Sequence, residues 1–341
     1  MRGNLSDTFN LISKLSVKRF WNIIIVYISF HYSRLSGRTL HPAMPVSISI
    51  EPTTSCNLRC PECPSGLRSF SRPTGMLDPE FFRKIVDQIK DKIFYLTFYF
   101  QGEPFLNPDF LEMVSYASSK KMYTATSTNA HYLSDEVARK TVESGIDRLI
   151  ISIDGLSQET YEQYRKGGSL SKVIEGTKRI VAWKRKLNSL KPFLVFQFLV
   201  VRTNEHEIDE VRKLARELGV DKVVFKTAQV YDFKNGNDLI PLNEKYSRYR
   251  KMSDGTYEIK NILENQCWKL WHSSVITWDG NVVPCCFDKD AGHKMGTLHE
   301  KTFSEIWNDS GYLAFRKSLL ANRKEIDICK NCSEGTGVWA G

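Results

Sequence analysis

The chain has no apolar stretch of the ~20 residues that a membrane-spanning helix needs. Its longest apolar run, residues 20–30, is too short, and no small-residue cleavage site follows it, so we expect no signal peptide. Basic runs interleaved with aromatic residues are also missing. Although the net charge is +9, we therefore expect no nucleic-acid partner. The positive charge suits an anionic surface or an anionic ligand instead.

Cysteine is scarce, since it supplies eight of the 341 residues. Small secreted proteins need disulfides because their cores are small, but a chain of this length folds without them. The cysteines are therefore expected to be reduced thiols of a cytoplasmic protein. The composition, 41% hydrophobic and 26% charged, is ordinary for a soluble globular protein. The length allows one large domain and a smaller one.

Three of the cysteines, Cys56, Cys60 and Cys63, have the spacing C-x3-C-x2-C. The preceding residues 46–50 alternate between apolar and polar side chains, which predicts a strand, and Pro52 ends it. The thiols are therefore expected on a loop, which can wrap around an inorganic cluster. Three thiolates suit a four-iron cluster with one iron free of protein ligands. A partial zinc site is the alternative, although structural zinc sites usually use C-x-x-C pairs and a fourth ligand.

This spacing is the signature of the radical S-adenosylmethionine (SAM) superfamily, which the chain resembles over most of its length. The resemblance implies that SAM binds the free iron of a [4Fe-4S] cluster. An electron from the reduced cluster then splits SAM into methionine and a 5′-deoxyadenosyl radical, which abstracts a substrate hydrogen. An electron donor such as flavodoxin or ferredoxin is also implied. Many members have an aromatic residue just before the third cysteine, where this chain has Glu62, so its adenine environment is expected to differ.

Strand-like and helix-like segments alternate from residue 46 to about residue 230. Such alternation predicts a parallel α/β sheet with right-handed crossovers, and the resemblance specifies a partial (β/α)6 TIM-like barrel. Ligands bind at the C-terminal ends of such strands. The predicted strands are 46–50, 95–100, 123–127, 148–153, 193–200 and 222–227, and the predicted helices lie near 79–91, 108–120, 134–144, 171–188 and 205–218.

Polar residues follow the second, third and fourth predicted strands. Similar positions in the superfamily contact SAM: a G-G-E-P motif meets its amino group, and a Ser and an Arg approach its ribose and carboxylate. A guanidinium suits a carboxylate because it binds with two hydrogen bonds. Asp154 has capping of the following helix as an alternative role. The predicted SAM-binding residues are Gln101, Gly102, Glu103, Pro104, Thr128, Asn129, Ser152, Asp154 and Arg165.

A second group of cysteines lies near the C-terminus. Asp279-Gly280 predicts a hairpin turn within it, and residues 303–322 predict a helix. Four thiolates held by a hairpin and a helix end suit zinc, but behind a radical SAM barrel the arrangement resembles the SPASM/twitch region. That resemblance implies one auxiliary [4Fe-4S] cluster. Its predicted ligands are Cys267, Cys285, Cys329 and Cys332.

Cys286 is then surplus, and the spacing from Gly280 favours Cys285 as the ligand of the adjacent pair. In related enzymes the neighbouring residue lies near the substrate. Cys286 is therefore a candidate catalytic residue, giving a hydrogen atom to a substrate radical or accepting a proton. The alternative is a buried structural cysteine, the commoner fate of a single thiol.

The leading prediction is a radical SAM enzyme that oxidises or epimerises a small molecule, such as a sugar or an aminocyclitol. A SPASM-type peptide or protein maturase is the alternative, and a non-catalytic metal-binding protein is a remote one. Reductive cleavage of SAM distinguishes the enzymes from the binding protein.

Four regions are predicted along the chain: an N-terminal helical segment at 1–44, the barrel at 45–231, a linker or substrate-side loop at 232–260, and the auxiliary-cluster domain at 261–341. Apolar residues occur nearly all round the run at residues 20–30 of the first segment, which favours packing on the main domain. The alternative is peripheral membrane contact through residues 18–32, with flanking basic residues.

Overall fold

The structure, a computed structural model, describes residues 2–335. Its centre is a set of six parallel strands, each paired with the next along the chain. The predicted α/β fold class is confirmed, and all six predicted strands are present. They are β1 (Ser47–Ile50), β2 (Tyr95–Thr97), β3 (Tyr123–Thr128), β4 (Arg148–Ser152), β5 (Phe193–Val200) and β6 (Lys222–Thr227).

Helices connect these strands and precede β1. Short 3-10 turns lie at Pro104–Leu106, Glu205–Glu207, Glu244–Tyr246, Arg323–Glu325 and Asp327–Cys329. The helices of the described residues are α1 (Arg2–Ser13), α2 (Val17–Ser36), α3 (Pro64–Leu67), α4 (Pro79–Ile89), α5 (Phe110–Ser119), α6 (Asp135–Glu143), α7 (Gln158–Tyr164), α8 (Leu170–Lys186), α9 (Ile208–Leu218), α10 (Lys269–His272), α11 (Phe303–Trp307) and α12 (Ser310–Asn322).

The ends of these helices follow local sequence signals. Asp78 accepts a hydrogen bond from the Phe81 backbone N–H at 2.7 Å, and Pro79 opens α4, as predicted. Gly219 ends α9 with φ +81°, a conformation that favours glycine. Helix α7 is absent from the predicted helices. Its seven residues are too few for a periodic apolar pattern to appear in the sequence.

The C-terminal hairpin extends the main sheet. Its strands β9 (Ser273–Ile276) and β10 (Asn281–Val283) are antiparallel and joined through the predicted Asp279-Gly280 turn, where Gly280 has φ +79°. Strand β9 also pairs in parallel with β1, with Ser273 opposite Ser47. A short β11 (Gly296–Thr297) pairs with β10, so one sheet has nine strands. Strands β7 (Tyr249–Lys251) and β8 (Tyr257–Ile259) form a separate antiparallel pair within the predicted linker.

The helix predicted over 303–322 is two helices. It breaks between α11 and α12, where Asp309 accepts a hydrogen bond from the Ser310 backbone N–H at 2.6 Å and caps the second helix. Trp307 and Tyr312 pack across the break with ring centroids 4.6 Å apart. The continuous prediction was wrong because aspartate competes for backbone donors and favours a helix start over a helix interior.

Helix α2 packs on the main domain through one face. Val26 and Phe30 are buried in the same apolar core as Ile48 of β1 and Ile85 of α4. Asn22 fixes the position, since its side chain donates to the Met44 carbonyl at 2.8 Å and accepts from the Met44 N–H at 3.0 Å. The face of α2 that contains Asn22, Val26 and Phe30 therefore packs on the main domain, as the sequence favoured.

Candidate active site

The cysteine loop leaves the C-terminal end of β1 and surrounds a cavity of about 320 Å³. Cys56, Cys60 and Cys63 all line this cavity. The loop turns tightly, because a Cβ atom on Gly66 would lie 2.6 Å from the Cys60 backbone nitrogen. The glycine in α3 therefore lets this helix approach the backbone of Cys60 directly. The three thiols face one space, as the spacing in the sequence predicts.

Hydrogen-bond donors lie around two of these sulfurs. The Leu58 backbone N–H donates to Cys56 Sγ at 3.5 Å, and Asn129 Nδ2 lies 3.9 Å from the same sulfur. Arg165 Nη1 donates to Cys60 Sγ at 3.8 Å. Burial raises the pKa of Cys56 to about 12 and also raises that of Cys60. The bare thiols thus resist ionisation at neutral pH, and positive iron together with these donors would stabilise the thiolates of a cluster.

The turn after β2 is fixed against the cysteine loop by Gly102. This residue has φ +75°, and a Cβ atom on it would lie 2.2 Å from the Thr53 carbonyl oxygen. Its N–H donates to Ser65 Oγ at 2.8 Å. Gln101, where the superfamily usually has glycine, has room in the cavity wall, and its Oε1 lies 4.0 Å from Cys63 Sγ. In the motif Gln101-Gly102-Glu103-Pro104, the position of Gly102 therefore requires glycine, whereas the position of Gln101 does not.

Glu103 connects the ends of β2 and β3. Its Oε1 accepts from Thr128 Oγ1 at 2.7 Å, and its Oε2 accepts from the Asn129 N–H at 2.8 Å. Only 2% of the residue is exposed, and burial raises the pKa of this carboxyl to about 7 in spite of these donors. A carboxylate in this position, with lone pairs left over, is suited to binding a cationic group such as an ammonium.

Arg165 is positioned by an ion pair with Asp154, whose Oδ2 accepts from Arg165 Nε at 2.5 Å. The other carboxylate oxygen accepts from the Leu199 N–H at 2.7 Å. Burial works to lower the pKa of Arg165, but Asp154 and the Cys60 sulfur raise it well above its usual range. The alternative role of Asp154 as a helix cap was wrong, because Ser157 caps α7.

Most of the predicted SAM-binding residues share the cavity with the thiols. Pro104 and Asp154 are the exceptions: Pro104 opens a 3-10 turn, and Asp154 lies behind Arg165. Gln197 also lines the cavity but was missed. It is the only polar residue in the otherwise apolar β5, which was an available signal. The predicted residues that line the cavity are Gln101, Gly102, Glu103, Thr128, Asn129, Ser152 and Arg165.

The mouth of the cavity includes residues far apart in the sequence. Glu62 accepts a hydrogen bond from the Tyr231 backbone N–H at 3.0 Å. Lys289 lines the cavity, and its Nζ donates to the Tyr231 hydroxyl at 3.0 Å and to Gln229 Oε1 at 3.3 Å. Burial raises the pKa of Glu62, while Lys289 acts in the opposite direction. The position that is often aromatic in relatives thus joins a polar network.

The loop that carries Lys289 is attached to the cysteine loop by Arg72. Arg72 forms a buried ion pair with Glu51 at 2.6 Å, and its Nε donates to the Lys289 carbonyl at 3.2 Å. The Asp290 carboxylate accepts from the Ser71 N–H at 2.9 Å. The segment between β10 and β11 therefore contributes directly to the wall of the cavity through Lys289, a contact that no local sequence pattern predicts.

The auxiliary cysteines form a second group of thiols. Cys267, Cys329 and Cys332 are buried, and Cys285 is half-buried at the end of the hairpin. A Cβ atom on Gly335 would lie 2.4 Å from Cys267 Sγ, so the chain passes tightly around this sulfur. Within residues 2–335, no three His, Cys, Asp or Glu side chains are arranged as a site for a single metal ion.

Arg323 lies fully buried beside this group. Its Nη2 donates to Cys332 Sγ at 3.4 Å, and its Nη1 donates to the Gln266 carbonyl at 2.8 Å. In the described part of the chain no carboxylate pairs with this guanidinium, and its Nε has no hydrogen-bond partner. A buried cation needs a nearby negative charge. Four thiolates around an iron–sulfur cluster would supply it, so the residues fit an auxiliary cluster.

Cys286 differs from its neighbour Cys285 because its side chain is exposed. A hydrogen bond between the two thiols raises the pKa of Cys285 and lowers that of Cys286, and Lys269 acts in the same direction on Cys286. Cys286 is not among the residues that line the cavity, but Tyr99 is. Cys286 lies close enough to Tyr99 to contribute electrostatically to the raised pKa of that hydroxyl. The predicted burial of a structural cysteine is not observed at this position.

Comparison with protein families identifies both regions. The family model for the radical SAM superfamily matches residues 50–215, and the model for the SPASM iron–sulfur cluster-binding domain matches residues 267–333. Both matches agree with the positions of the two cysteine groups.

Curated relatives extend the similarity over most of the chain. A tungsten-containing aldehyde ferredoxin oxidoreductase cofactor-modifying protein of Pyrococcus furiosus is 26% identical, with 83% of this chain and 86% of the relative covered. The PqqA peptide cyclase of Gluconobacter oxydans is 25% identical, covering 88% and 86%. The SAM-dependent 2-deoxy-scyllo-inosamine dehydrogenase of Niallia circulans is 22% identical, covering 84% and 92%.

Solved structures share the fold. SuiB of Streptococcus suis bound to S-adenosylmethionine superimposes with a TM-score of 0.63 at 15% identity, covering 91% of this chain and 76% of the other. BtrN in complex with AdoMet and 2-DOIA gives a TM-score of 0.52 at 19% identity, covering 85% and 94%. Both comparisons support the fold alone.

Proposed function

We propose that this chain, which belongs to the radical SAM superfamily and carries a C-terminal SPASM domain, oxidises or epimerises a small polar molecule such as a sugar or an aminocyclitol. Its cofactors are a [4Fe-4S] cluster, SAM and auxiliary iron–sulfur. The bound cluster and SAM together supply a 5′-deoxyadenosyl radical that abstracts a hydrogen atom. An electron donor such as flavodoxin or ferredoxin remains a prediction.

The observation that carries this proposal is the shared cavity. Cys56, Cys60 and Cys63 meet Glu103 and Arg165 around about 320 Å³ of space. In the proposed complex the thiolates hold three irons, and Glu103 accepts hydrogen bonds from the SAM ammonium. A charge-assisted hydrogen bond of this kind is stronger than a neutral one.

Arg165 is proposed to bind the SAM carboxylate. Its Nε is occupied by Asp154, so the terminal guanidinium nitrogens are left to face the cavity beside Cys60. Asp154 is then a positioning residue, because it orients the guanidinium without touching the ligand. Glu103 likewise fixes the positions of Thr128 and Asn129, because it accepts hydrogen bonds from the Thr128 hydroxyl and the Asn129 N–H.

The preference for a small molecule rests on the mouth of the cavity. Lys289, Tyr231 and Glu62 form a hydrogen-bonded network there, and the segment between β10 and β11 is fixed to the cysteine loop through Arg72. These contacts place a cation, a carboxylate and one phenol hydroxyl beside the cavity, and such groups can form hydrogen bonds with a polyhydroxylated substrate. A peptide substrate is the alternative, because one curated relative is a peptide cyclase.

The proposal is tested by incubating the anaerobically purified, reduced protein and SAM with two fractions of a cell extract, small metabolites and peptides. We expect the metabolite fraction to increase 5′-deoxyadenosine above the background rate, and protease treatment to leave that increase unchanged. An increase only with the peptide fraction, abolished by protease, would establish a peptide substrate instead. No deoxyadenosine under any condition would contradict the enzymatic function.

Cys286 is proposed to act on the substrate side in one of two ways. It gives a hydrogen atom to the substrate radical, and the thiyl radical left behind is returned to the thiol by one electron from the donor and one proton, or it accepts a proton while the auxiliary cluster takes the electron of the substrate radical. Cys286→Ser should keep the iron content and SAM cleavage of the wild type but form no product. Cys286→Ala is the matched variant, since it also removes the thiol but adds no hydroxyl. Normal product formation in either variant would assign Cys286 a structural role.

A further inference from the structure

The N-terminal helices expose an unusual amount of apolar surface. Of the 22 large apolar side chains that are exposed within the described residues, 12 lie between Leu5 and Leu40. On α2 five of them follow each other at intervals of four, three, four and three residues, which places them on one face of the helix. They are Trp21 (57% exposed), Ile25 (41%), Ile28 (58%), Tyr32 (45%) and Leu35 (85%).

The buried contacts of α2 fix its rotation, so that this face stays exposed. Arg19 is buried, and its guanidinium donates to the carbonyls of Lys90 at 3.0 Å, Lys120 at 3.2 Å and Lys121 at 2.6 Å. These carbonyls end α4 and α5, where a cation is favoured. With Arg19 and Val26 held inside, the five apolar residues cannot rotate into the core.

The charge around this face is of one sign. From residue 8 to residue 50 the sequence contains no Asp or Glu. Lys18, Arg34 and Arg38 are exposed, and the Lys18 side chain is 74% accessible. Asp7, the last acidic residue before this stretch, is bonded to Tyr123 and Arg148. Within residues 2–335, the only carboxylate paired with these three cations is Asp91, 3.5 Å from Lys18.

We propose that the exposed face of α2 binds the surface of an anionic lipid bilayer. Apolar and aromatic side chains bordered by basic residues are the pattern of a helix that lies in the membrane interface. Trp21 and Tyr32 suit that depth, because their rings have an apolar body and a polar edge. None of the helices within residues 2–335 combines the length and apolarity needed to cross a bilayer, so the helix lies along the surface.

A second copy of the chain is a poorer occupant. The spacing on α2 suits helix pairing, but paired helices normally align acidic and basic residues along their edges. Two copies of this face would bring Lys18, Arg34 and Arg38 near one another without an acidic residue of α2 to compensate. An anionic bilayer instead complements the charge of Lys18 and Arg34, near the two ends of α2, and of Arg38 just beyond it.

Membrane binding would place the C-terminal domain near the bilayer. The Phe30 ring packs against Trp268 and Trp271, with centroids 5.2 and 5.7 Å apart. Trp268 follows Cys267 directly in the chain. The docked helix would therefore lie next to the part of the protein that carries the auxiliary cysteines.

The test is co-sedimentation of the intact protein with vesicles of phosphatidylglycerol and phosphatidylcholine, compared with phosphatidylcholine alone. We expect binding to the anionic vesicles that weakens at high salt. Trp21→Glu and Ile28→Glu should each reduce that binding about tenfold or more. Leu242→Glu is the matched control, since Leu242 is 73% exposed on another part of the surface, and it should bind like the wild type.

Iron content and circular dichroism verify that each variant is folded. Replacing Lys18, Arg34 and Arg38 together with Gln should also reduce binding while leaving both measurements unchanged. No sedimentation of the wild type with anionic vesicles, or equal sedimentation with neutral ones, would overturn the proposal. A dimer in solution that Ile28→Glu converts to a monomer, without vesicle binding, would assign the face to a second copy.

Discussion

The two groups of cysteines differ in how the protein surrounds them. The first lies on eight consecutive residues, opens into a cavity, and has as its cation Arg165, which Asp154 already neutralises. The second is collected from residues 267–332, its thiols are mostly buried, and its cation Arg323 has no carboxylate partner among the described residues. An open site leaves room for a ligand, whereas a closed site with an uncompensated cation depends on the charge of its own thiolates. This contrast supports the proposal that SAM binds at the first site and that the second holds a cluster ligated by four cysteines.

The largest expected effect follows from removing the thiols of the first site, which should change the iron content of that site alone. Replacing Cys56, Cys60 and Cys63 together with Ala should abolish SAM cleavage and remove about half of the roughly eight irons. The second site should keep its share, because it has its own four thiols. Iron analysis and the yield of 5′-deoxyadenosine are the measurements. An unchanged iron content, or stoichiometric zinc at the second site, would refute the two-cluster assignment.

The next effect concerns Arg323, the buried cation of the second site that has no carboxylate partner among the described residues. Arg323→Leu should remove iron from the second site and lower the free energy of unfolding by about 3 kcal/mol, because it deprives buried thiolates of their compensating charge. Arg323→Lys keeps the charge and should retain more iron. The measurements are iron content and denaturant unfolding under anaerobic conditions.

Arg165→Leu is the companion variant at the first site. It leaves Asp154 buried without a cation, so stability should also fall, but the iron content should be retained while SAM affinity is lost. If Arg323→Leu kept the full iron content, or Arg165→Leu lost it, the contrast between the two guanidiniums would be wrong.

The smallest predicted effect is a pH dependence at the first site. Burial raises the pKa of Glu103 to about 7, and only the ionised carboxylate attracts an ammonium. SAM binding should therefore strengthen as the pH rises through about 7 and then level off. Glu103→Gln should weaken binding about tenfold and flatten this profile while leaving the iron content intact. Calorimetric titration of SAM at several pH values is the measurement, and an unaltered affinity would remove Glu103 from the site.

The same raised pKa affects stability. An acid whose pKa is higher in the folded than in the unfolded state stabilises the fold at low pH, where it is protonated in both. That contribution is lost as the pH rises from the ordinary glutamate value of about 4.3 to about 7. Glu103→Gln should therefore reduce the pH dependence of unfolding in this window.

Local patterns in the sequence predicted the parts of the site that lie close to one another in the chain. The C-x3-C-x2-C spacing and the strand before it required only short-range information, and so did the Asp279-Gly280 turn. The residues after β2, β3 and β4 could be predicted to meet because parallel strands bring their ends to one edge.

Long-range contacts could not be predicted in this way. Glu62, Tyr231 and Lys289 meet across the mouth although more than 160 residues separate Glu62 from Tyr231, and no periodicity encodes that distance. Asp154 was ambiguous because an aspartate after a strand can cap a helix or pair with a cation, and only the position of Arg165 decides between them. The break in the helix predicted over 303–322 depended on one competing side chain, Asp309.

The pairing of β1 with β9 has a consequence for how the chain is made. Strand β1, which contains Ser47, can pair with β9 only after Ser273 has been synthesised. During synthesis β1 therefore lacks one of its two neighbouring strands until most of the protein has left the ribosome. An unpaired strand edge is a site of mistaken association between chains. A nascent or truncated chain that ends before residue 273 would expose that edge, and we expect it to associate with other chains more readily than the whole protein does.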